Sequence, residues 1–191
     1  RSVSISADGE YIAVGSSDHK VYLFHKDSST PLWSYATGDG VLSVAISADG
    51  EYIAVGSYDY KVYFFDKDNS TPLWTYDAVA RVKSVAISAD GEYIVAGSND
   101  DKVYLFDKDS STPLWTYNTE DEVHSVAISA DGEYIVAGSN DDKVYLFHKD
   151  SIGPLWSYTA GARVNSVSIS ADGEYIAAGA WDSKVYLFNK D

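Results

Sequence analysis

The residues best suited to chemistry in this chain are acidic, and they recur. The segment Ala-Asp-Gly-Glu-Tyr places an Asp two residues before a Glu, and it occurs five times, starting at Ala7, Ala48, Ala89, Ala130 and Ala171. Two carboxylates can divide acid–base work only where their surroundings separate their pKa values. Five equivalent copies give every pair the same surroundings. We therefore interpret these pairs as turn residues and not as catalytic acids.

A second acidic segment resembles the start of a calcium loop. Asp66-Lys-Asp-Asn-Ser-Thr71 spaces its carboxylates as such a loop does, but the turn glycine and the bidentate Glu are absent, and His replaces the first Asp in two copies. The chain has no cysteine, no pair of histidines at zinc spacing and no Gly-x-Ser-x-Gly nucleophile turn. We therefore expect no metal, no cofactor and no enzymatic activity.

The spacing of these motifs indicates the architecture. Pro-Leu-Trp recurs at the same interval of 41 residues, starting at Pro31, Pro72, Pro113 and Pro154. A fixed period near 40 residues with strand-like segments in each unit is typical of propellers. We predict one domain over residues 1–191, with repeat units at 2–42, 43–83, 84–124, 125–165 and 166–191.

One unit reads as four strands. In the third unit these are Ser84–Ser88, Tyr93–Ser98, Lys102–Phe106 and Pro113–Tyr117, and an Asp-Gly hairpin turn follows the first. The middle two strands are almost continuously apolar, which indicates that both faces of the sheet are covered. Four antiparallel strands make one propeller blade. The predicted fold class is all-β: a β-propeller of four-stranded antiparallel blades, with four complete blades and a three-stranded fifth.

Two families share these motifs. The segment Val-x-Ser-Val-Ala-Ile-Ser-Ala-Asp-Gly, followed by Gly-Ser-x-Asp-x-Lys-Val-Tyr-Leu-Phe-Asp, resembles the WD-repeat, and one residue of each copy matches that family's turn aspartate: Asp18, Asp59, Asp100, Asp141 and Asp182. The Gly-His pair is missing and Phe stands in place of the usual Trp, so the family's hydrogen-bonded tetrad cannot form in full. The stretch Asp-Lys-Asp-Ser-Ser-Thr-Pro-Leu-Trp-Thr-Tyr resembles the quinoprotein-like repeat, in which the tryptophan docks between neighbouring blades. These resemblances imply the fold and leave the function open, because propellers have many unrelated activities.

The number of strands leaves the closure of the ring open. The chain starts at an innermost strand and ends after the third strand of the fifth unit, so the fifth Pro-Leu-Trp strand is absent. Three interpretations follow: the chain closes alone with a thin fifth blade, it pairs with another chain, or it is part of a longer ring. The segment Val185–Phe188 would be an apolar edge without a partner, and such edges favour pairing between chains. A homo-oligomer through this edge is one expectation.

Comparison of the copies predicts a binding surface. The turns between the first and second strands are the same in all copies, whereas the turns between the second and third strands and the loops between units differ. In a propeller these two variable sets share one face. Exposed aromatic residues in loops, such as Tyr58, Tyr60 and Trp181, are typical interface anchors. The candidate partner-binding residues on this face are His19, Tyr58, Tyr60, Trp181, Arg81 and Arg163.

A ring of residues should surround the mouth of the channel on the same face. The residue just before each innermost strand is predicted to lie there, and these residues are Arg1, Leu42, Lys83, His124 and Asn165. Arg1, Lys83 and His124 could hold a small anion, although solvated loop charges are the simpler interpretation.

The net charge of the chain excludes some classes of partner. The net charge of −15 makes nucleic acid and anionic membranes poor partners. Our sequence-based hypothesis is a non-enzymatic scaffold that binds a protein or peptide. One alternative is an idealised or fragment repeat protein with no role beyond folding and self-assembly. Another is a module for carbohydrates or small ligands, with aromatic side chains as stacking platforms.

Overall fold

A computed structural model describes all residues from 1 to 191 and contains strands but no helix. The strands are β1 (Ser2–Ile5), β2 (Tyr11–Gly15), β3 (Lys20–His25), β4 (Trp33–Ala36), β5 (Val41–Ile46), β6 (Tyr52–Ser57), β7 (Lys61–Asp66), β8 (Trp74–Asp77), β9 (Val82–Ile87), β10 (Tyr93–Ser98), β11 (Lys102–Asp107), β12 (Trp115–Asn118), β13 (Val123–Ile128), β14 (Tyr134–Ser139), β15 (Lys143–His148), β16 (Trp156–Thr159), β17 (Val164–Ile169), β18 (Tyr175–Ala180) and β19 (Val185–Asn189). Accordingly, no helix that could cross a membrane is found.

Consecutive strands pair antiparallel and form five sheets. Four sheets have four strands and the last has three, so blades one to five are β1–β4, β5–β8, β9–β12, β13–β16 and β17–β19. This arrangement confirms the predicted fold class. The fourth strand of a blade begins at Trp115 or its equivalent, two residues after the proline that opens the motif. Proline has no N–H to donate to a neighbouring strand, which delays the start of the ladder.

The hydrophobic core lies between the blades. Each blade packs one face, here called its trailing face, against the opposite, leading face of the next blade. Between blades two and three, for example, Val62 and Phe64 of β7 belong to one buried cluster with Val85 and Ile94. Four such clusters occupy the four junctions between consecutive blades. Because the middle strands contribute to both faces, their sequences are apolar throughout.

Hydrogen bonds across each junction repeat as regularly as the apolar contacts. The indole N–H of Trp115 donates to the carbonyl of Lys149 in the next blade at 2.7 Å. The amide of Ala89 donates to the carbonyl of Ala130 at 3.0 Å. The hydroxyl of Ser84 accepts from the amide of Val126 at 3.1 Å. Each junction therefore combines an apolar cluster with directional bonds.

The ring of blades is not closed in this structure. Val3 on the leading face of blade one is 68% exposed, whereas Val44 at the same position in blade two is 6% exposed. At the other end, Val185 and Leu187 on the trailing face of blade five are exposed, although their equivalents in the first four blades are fully buried. Of the three interpretations of the sequence, closure of one chain on itself is not the arrangement seen here.

Candidate functional site

In blades two, three and four the turn aspartate connects two blades. In blade two, Asp59 Oδ2 accepts a hydrogen bond from the hydroxyl of Tyr63 at 2.6 Å and another from the amide of Gly38, in the loop that leaves blade one, at 2.6 Å. The tyrosine–aspartate bond is present in every blade, the other pairs being Tyr22–Asp18, Tyr104–Asp100, Tyr145–Asp141 and Tyr186–Asp182. These aspartates therefore have a structural role. Their invariant spacing of four residues from the tyrosine could have revealed the pair in the sequence.

These tyrosines should make the protein sensitive to alkali. Burial, followed by the hydrogen bond to Asp100, raises the pKa of the Tyr104 hydroxyl well above its ordinary value of about 10. The unfolded chain then loses this proton at a lower pH than the folded chain does. The stability contributed by the neutral hydroxyl is complete below pH 10 and falls as pH rises above that value.

We expect Tyr104→Phe to reduce the slope of unfolding free energy against pH above 10 by up to about 1.4 kcal/mol per pH unit, measured by urea denaturation. Tyr175→Phe, which changes an exposed tyrosine, is the control, and an equal change in both slopes would contradict the prediction.

The variable turns and loops lie together on one face. This variable face consists of the turns at 17–19, 58–60, 99–101, 140–142 and 181–183 and the loops at 37–40, 78–81, 119–122 and 160–163. Backbone bonds join the two sets: the amide of Thr37 donates to His19 at 2.8 Å, and the amide of Tyr58 donates to Gly40 at 2.9 Å. The opposite, constant face carries the invariant turns and the loops that precede each Pro-Leu-Trp.

Tyr58 lies between two guanidinium groups. The central carbon of Arg1 is 5.1 Å from the centre of the Tyr58 ring, and that of Arg81 is 4.8 Å from it. Arg1 Nε also donates a hydrogen bond to Ser17 Oγ at 2.6 Å. Cations within about 6 Å of an aromatic face are attracted by its quadrupole. The structure therefore joins Arg1 with residues of the first two units into one basic, aromatic cluster.

A second cluster forms at the far end of the arc. The guanidinium of Arg163 lies 3.1 Å from the centre of the Trp181 ring, and the amide of Trp181 donates to the carbonyl of Arg163 at 3.0 Å. Trp181 nevertheless keeps 61% of its surface exposed. An exposed indole covered on one side by a guanidinium leaves its remaining surface free to contact a partner.

The remaining two candidates, Tyr60 and His19, belong to neither cluster. Tyr60 is 46% exposed and has a φ of 72°, and His19 is exposed with a φ of 67°. Left-handed backbone is unfavourable for residues with a bulky side chain. His19 Nε2 lies 3.6 Å from Asp39 Oδ1. The equivalent position is left-handed in all five copies, so this backbone belongs to the repeated turn, and the case for Tyr60 and His19 depends on their exposure.

The cationic side chains of the two faces differ in whether they form ion pairs. On the constant face every lysine forms an ion pair with the Glu of its own blade's invariant turn: Lys26–Glu10, Lys67–Glu51, Lys108–Glu92, Lys149–Glu133 and Lys190–Glu174. All three arginines of the chain lie on the variable face. None of them forms an ion pair: the cation of every ion pair in the structure is a lysine or a histidine. The guanidinium groups therefore keep their charge available.

Four of the five predicted channel-mouth residues lie at a different position along the strand from the one expected. Leu42, Lys83, His124 and Asn165 lie inside the innermost strands and not just before them. The pairing of β13 with β14 skips His124, so this position is a β-bulge, which redirects a side chain. Only Arg1 precedes its strand.

The suggested anion trio is only partly assembled. Lys83 Nζ lies 3.5 Å from His124 Nδ1, whereas Arg1 is engaged with Tyr58 and Ser17. Burial and the neighbouring Lys83 charge lower the pKa of His124, which favours the neutral imidazole.

Comparison with protein families agrees with this geometry. The model described as outer membrane protein assembly factor BamB, a quinoprotein-like repeat model, matches residues 2–120. The model described as WD domain, G-beta repeat matches residues 111–148 and 153–189. No curated protein matches the chain significantly. The first match covers more than half of the chain, and the repeated blades fit both descriptions. The chain therefore belongs to the WD-repeat and quinoprotein-like family of β-propellers.

Proposed function

We propose that this protein is a non-enzymatic scaffold that binds a protein or peptide through the variable face. WD repeats are in general modules for protein interaction, so a scaffold role in the broad sense follows from the repeats. The choice of face depends on one observation: aromatic side chains are paired with arginines that no carboxylate neutralises. Tryptophan, tyrosine and arginine are the residues most enriched among those that dominate binding energy.

The chemistry of the face favours an acidic peptide. Arg81 and Arg163 present guanidinium groups that can bind a carboxylate through two parallel hydrogen bonds. Tyr58 and Trp181 beside them offer apolar surface to a neighbouring aromatic or aliphatic residue. The constant face carries 17 acidic residues and five lysines, all of them paired, whereas the variable face carries 12 acidic and nine basic residues. The constant face therefore repels an acidic peptide much more strongly than the variable face does. A segment with a carboxylate next to an apolar residue fits the variable face best.

A non-enzymatic role is part of the same proposal. The most regularly spaced carboxylates of the variable face are the five turn aspartates, and each of these accepts a hydrogen bond from a tyrosine hydroxyl of its own blade. A carboxylate held this way positions loops and is not free to take a proton from a substrate.

Selection from a displayed library of random peptides would test the proposal. We expect the selected peptides to be enriched in Asp or Glu beside aromatic or aliphatic residues. The triple variant Tyr58→Ala, Tyr60→Ala and Trp181→Ala should bind a selected peptide about 30-fold more weakly or worse, since anchor residues contribute about 2 kcal/mol or more. Affinity should also fall as salt screens the arginines. Titration calorimetry at two salt concentrations measures both effects.

The constant face supplies a matched control. Leu32, Leu73 and Leu114 are each 53% exposed, at equivalent positions after the proline. Alanine at these three positions should leave peptide affinity unchanged. Peptides that bind both triple variants equally well, with both variants folded, would show that the variable face is not the binding surface.

A further inference from the structure

The two ends of the arc present opposite halves of one interface. Each junction inside the molecule joins a trailing face to the leading face of the next blade, and the structure contains four such junctions. Blade five has a trailing face with no blade against it, and blade one has a leading face with no blade against it. The chain therefore carries one spare copy of each half.

The exposed halves have the composition of the buried ones. On the trailing face of blade five, Val185 and Leu187 are 74% and 78% exposed, and Tyr175 is exposed beside them. Tyr175 and Leu187 line a surface concavity of about 350 Å³. On the leading face of blade one, Val3 and Ile5 are similarly exposed. Large apolar side chains grouped on a surface mark an interaction site when they form a continuous patch.

Polar groups at the two ends are also complementary. In the internal junctions an alanine amide donates to the equivalent alanine of the next blade, as from Ala130 to Ala171 at 3.0 Å. By the same pattern, the amide of Ala171 would donate to Ala7 of a following blade. The hydroxyl of Ser166 corresponds to that of Ser125, which accepts from the amide of Val167 at 3.1 Å. The partner of Ser166 would then be the amide of Val3.

We propose that the trailing face of blade five binds the leading face of blade one of a second copy of this chain. A leading face is the surface that packs against a trailing face at each of the four internal junctions, with the same valines, tyrosines and hydrogen bonds. The contact differs from pairing along the edge of β19, which the sequence suggested, because it joins faces and not strand edges. It is also heterologous: the two copies contribute different surfaces, and the contact can extend into a larger ring or a chain of copies.

Variants that block one half each provide the test. Leu187→Asp places a charge on the trailing face, and Val3→Asp places one on the leading face; both positions are exposed, so the fold should tolerate them. Sedimentation velocity over a wide range of concentrations should show the wild type associating. Each variant alone should associate at least about a hundredfold more weakly, because a carboxylate would be buried without a partner. Leu73→Asp, an equally drastic change outside both end faces, should associate like the wild type.

Mixing the two variants gives the decisive result. Each variant keeps the half that the other has lost, so an equimolar mixture should form a complex of one molecule of each and nothing larger. A wild type that stays monomeric at every concentration would overturn the proposal, and so would a mixture that forms no heterodimer. Self-association of Val3→Asp alone would also overturn it, since pairing between two β19 edges does not need Val3.

Discussion

Replacing Trp115 by alanine should destabilise the protein by about 3–5 kcal/mol, the range for large aromatic side chains lost from a core. Trp115 belongs to the cluster between blades three and four and is only 6% exposed. Its ring centre lies 5.4 Å from that of Phe147, and its indole N–H bonds to the carbonyl of Lys149 at 2.7 Å. Alanine would open a cavity and leave that carbonyl without its donor. Denaturation in urea, followed by far-ultraviolet circular dichroism, measures the loss.

The chain offers a matched substitution of the same residue type. Trp181→Ala removes an indole that is 61% exposed and docks on no neighbouring blade. We expect a change below about 1 kcal/mol, the size of an exposed cation–π contact with Arg163. Equal losses for the two variants would mean that docking of the repeated tryptophans does not hold the blades together.

Gly97→Ala should cost about 3 kcal/mol, the upper end of the range for overpacking a core. A Cβ atom at Gly97 would lie 2.6 Å from Cγ1 of Val123 and 3.0 Å from Cγ1 of Val126, both in the next blade. Val123 is fully buried and cannot move aside without disturbing the innermost strand. The glycine is therefore needed for close approach of blade three to blade four. Thermal and urea unfolding of the variant measure the effect.

Blade five contains the control for this prediction. Gly179 occupies the equivalent position, and a Cβ atom there would meet nothing within 4 Å, because no blade covers the trailing face of blade five. At concentrations where the chain is monomeric, Gly179→Ala should not reduce stability, since glycine is itself unfavourable inside a strand. If Gly97→Ala were as harmless as Gly179→Ala, close contact between blades would not be the reason for this glycine.

Much of the local structure could be read from the sequence. The 41-residue period, the Asp-Gly turns and the apolar runs predicted the blade, and the paired strands of the structure agree with them. Two local features were missed. The hydrogen bond from the Tyr104 hydroxyl to Asp100 was not predicted, and His124, which forms a bulge inside β13, was placed before that strand. The hydrogen bond and the bulge both depend on which atoms meet between neighbouring strands, and the pattern of apolar residues does not predict such contacts.

The candidate site was predicted as a list of residues but not as an arrangement. Variation among the copies identified Tyr58, Trp181, Arg81 and Arg163, and the structure brings each aromatic ring under a guanidinium. The contribution of Arg1 to the first cluster was not foreseen, because it was assigned to the channel mouth. Arg1 and residues of the first two units meet there only once blades have packed side by side.

The strands, their order and the face on which variation gathers could be predicted from the sequence, because alternation of side chains and turn chemistry act over a few residues. The open arc, and the arginines that cover aromatic rings without ion pairs, result from the packing of the blades against one another. The angle between consecutive blades depends on how buried side chains such as Val123 fit against Gly97. A small difference in that angle at each junction adds up over four junctions. No local pattern encodes that sum, so the exposed faces of blades one and five appear only when all five blades are assembled.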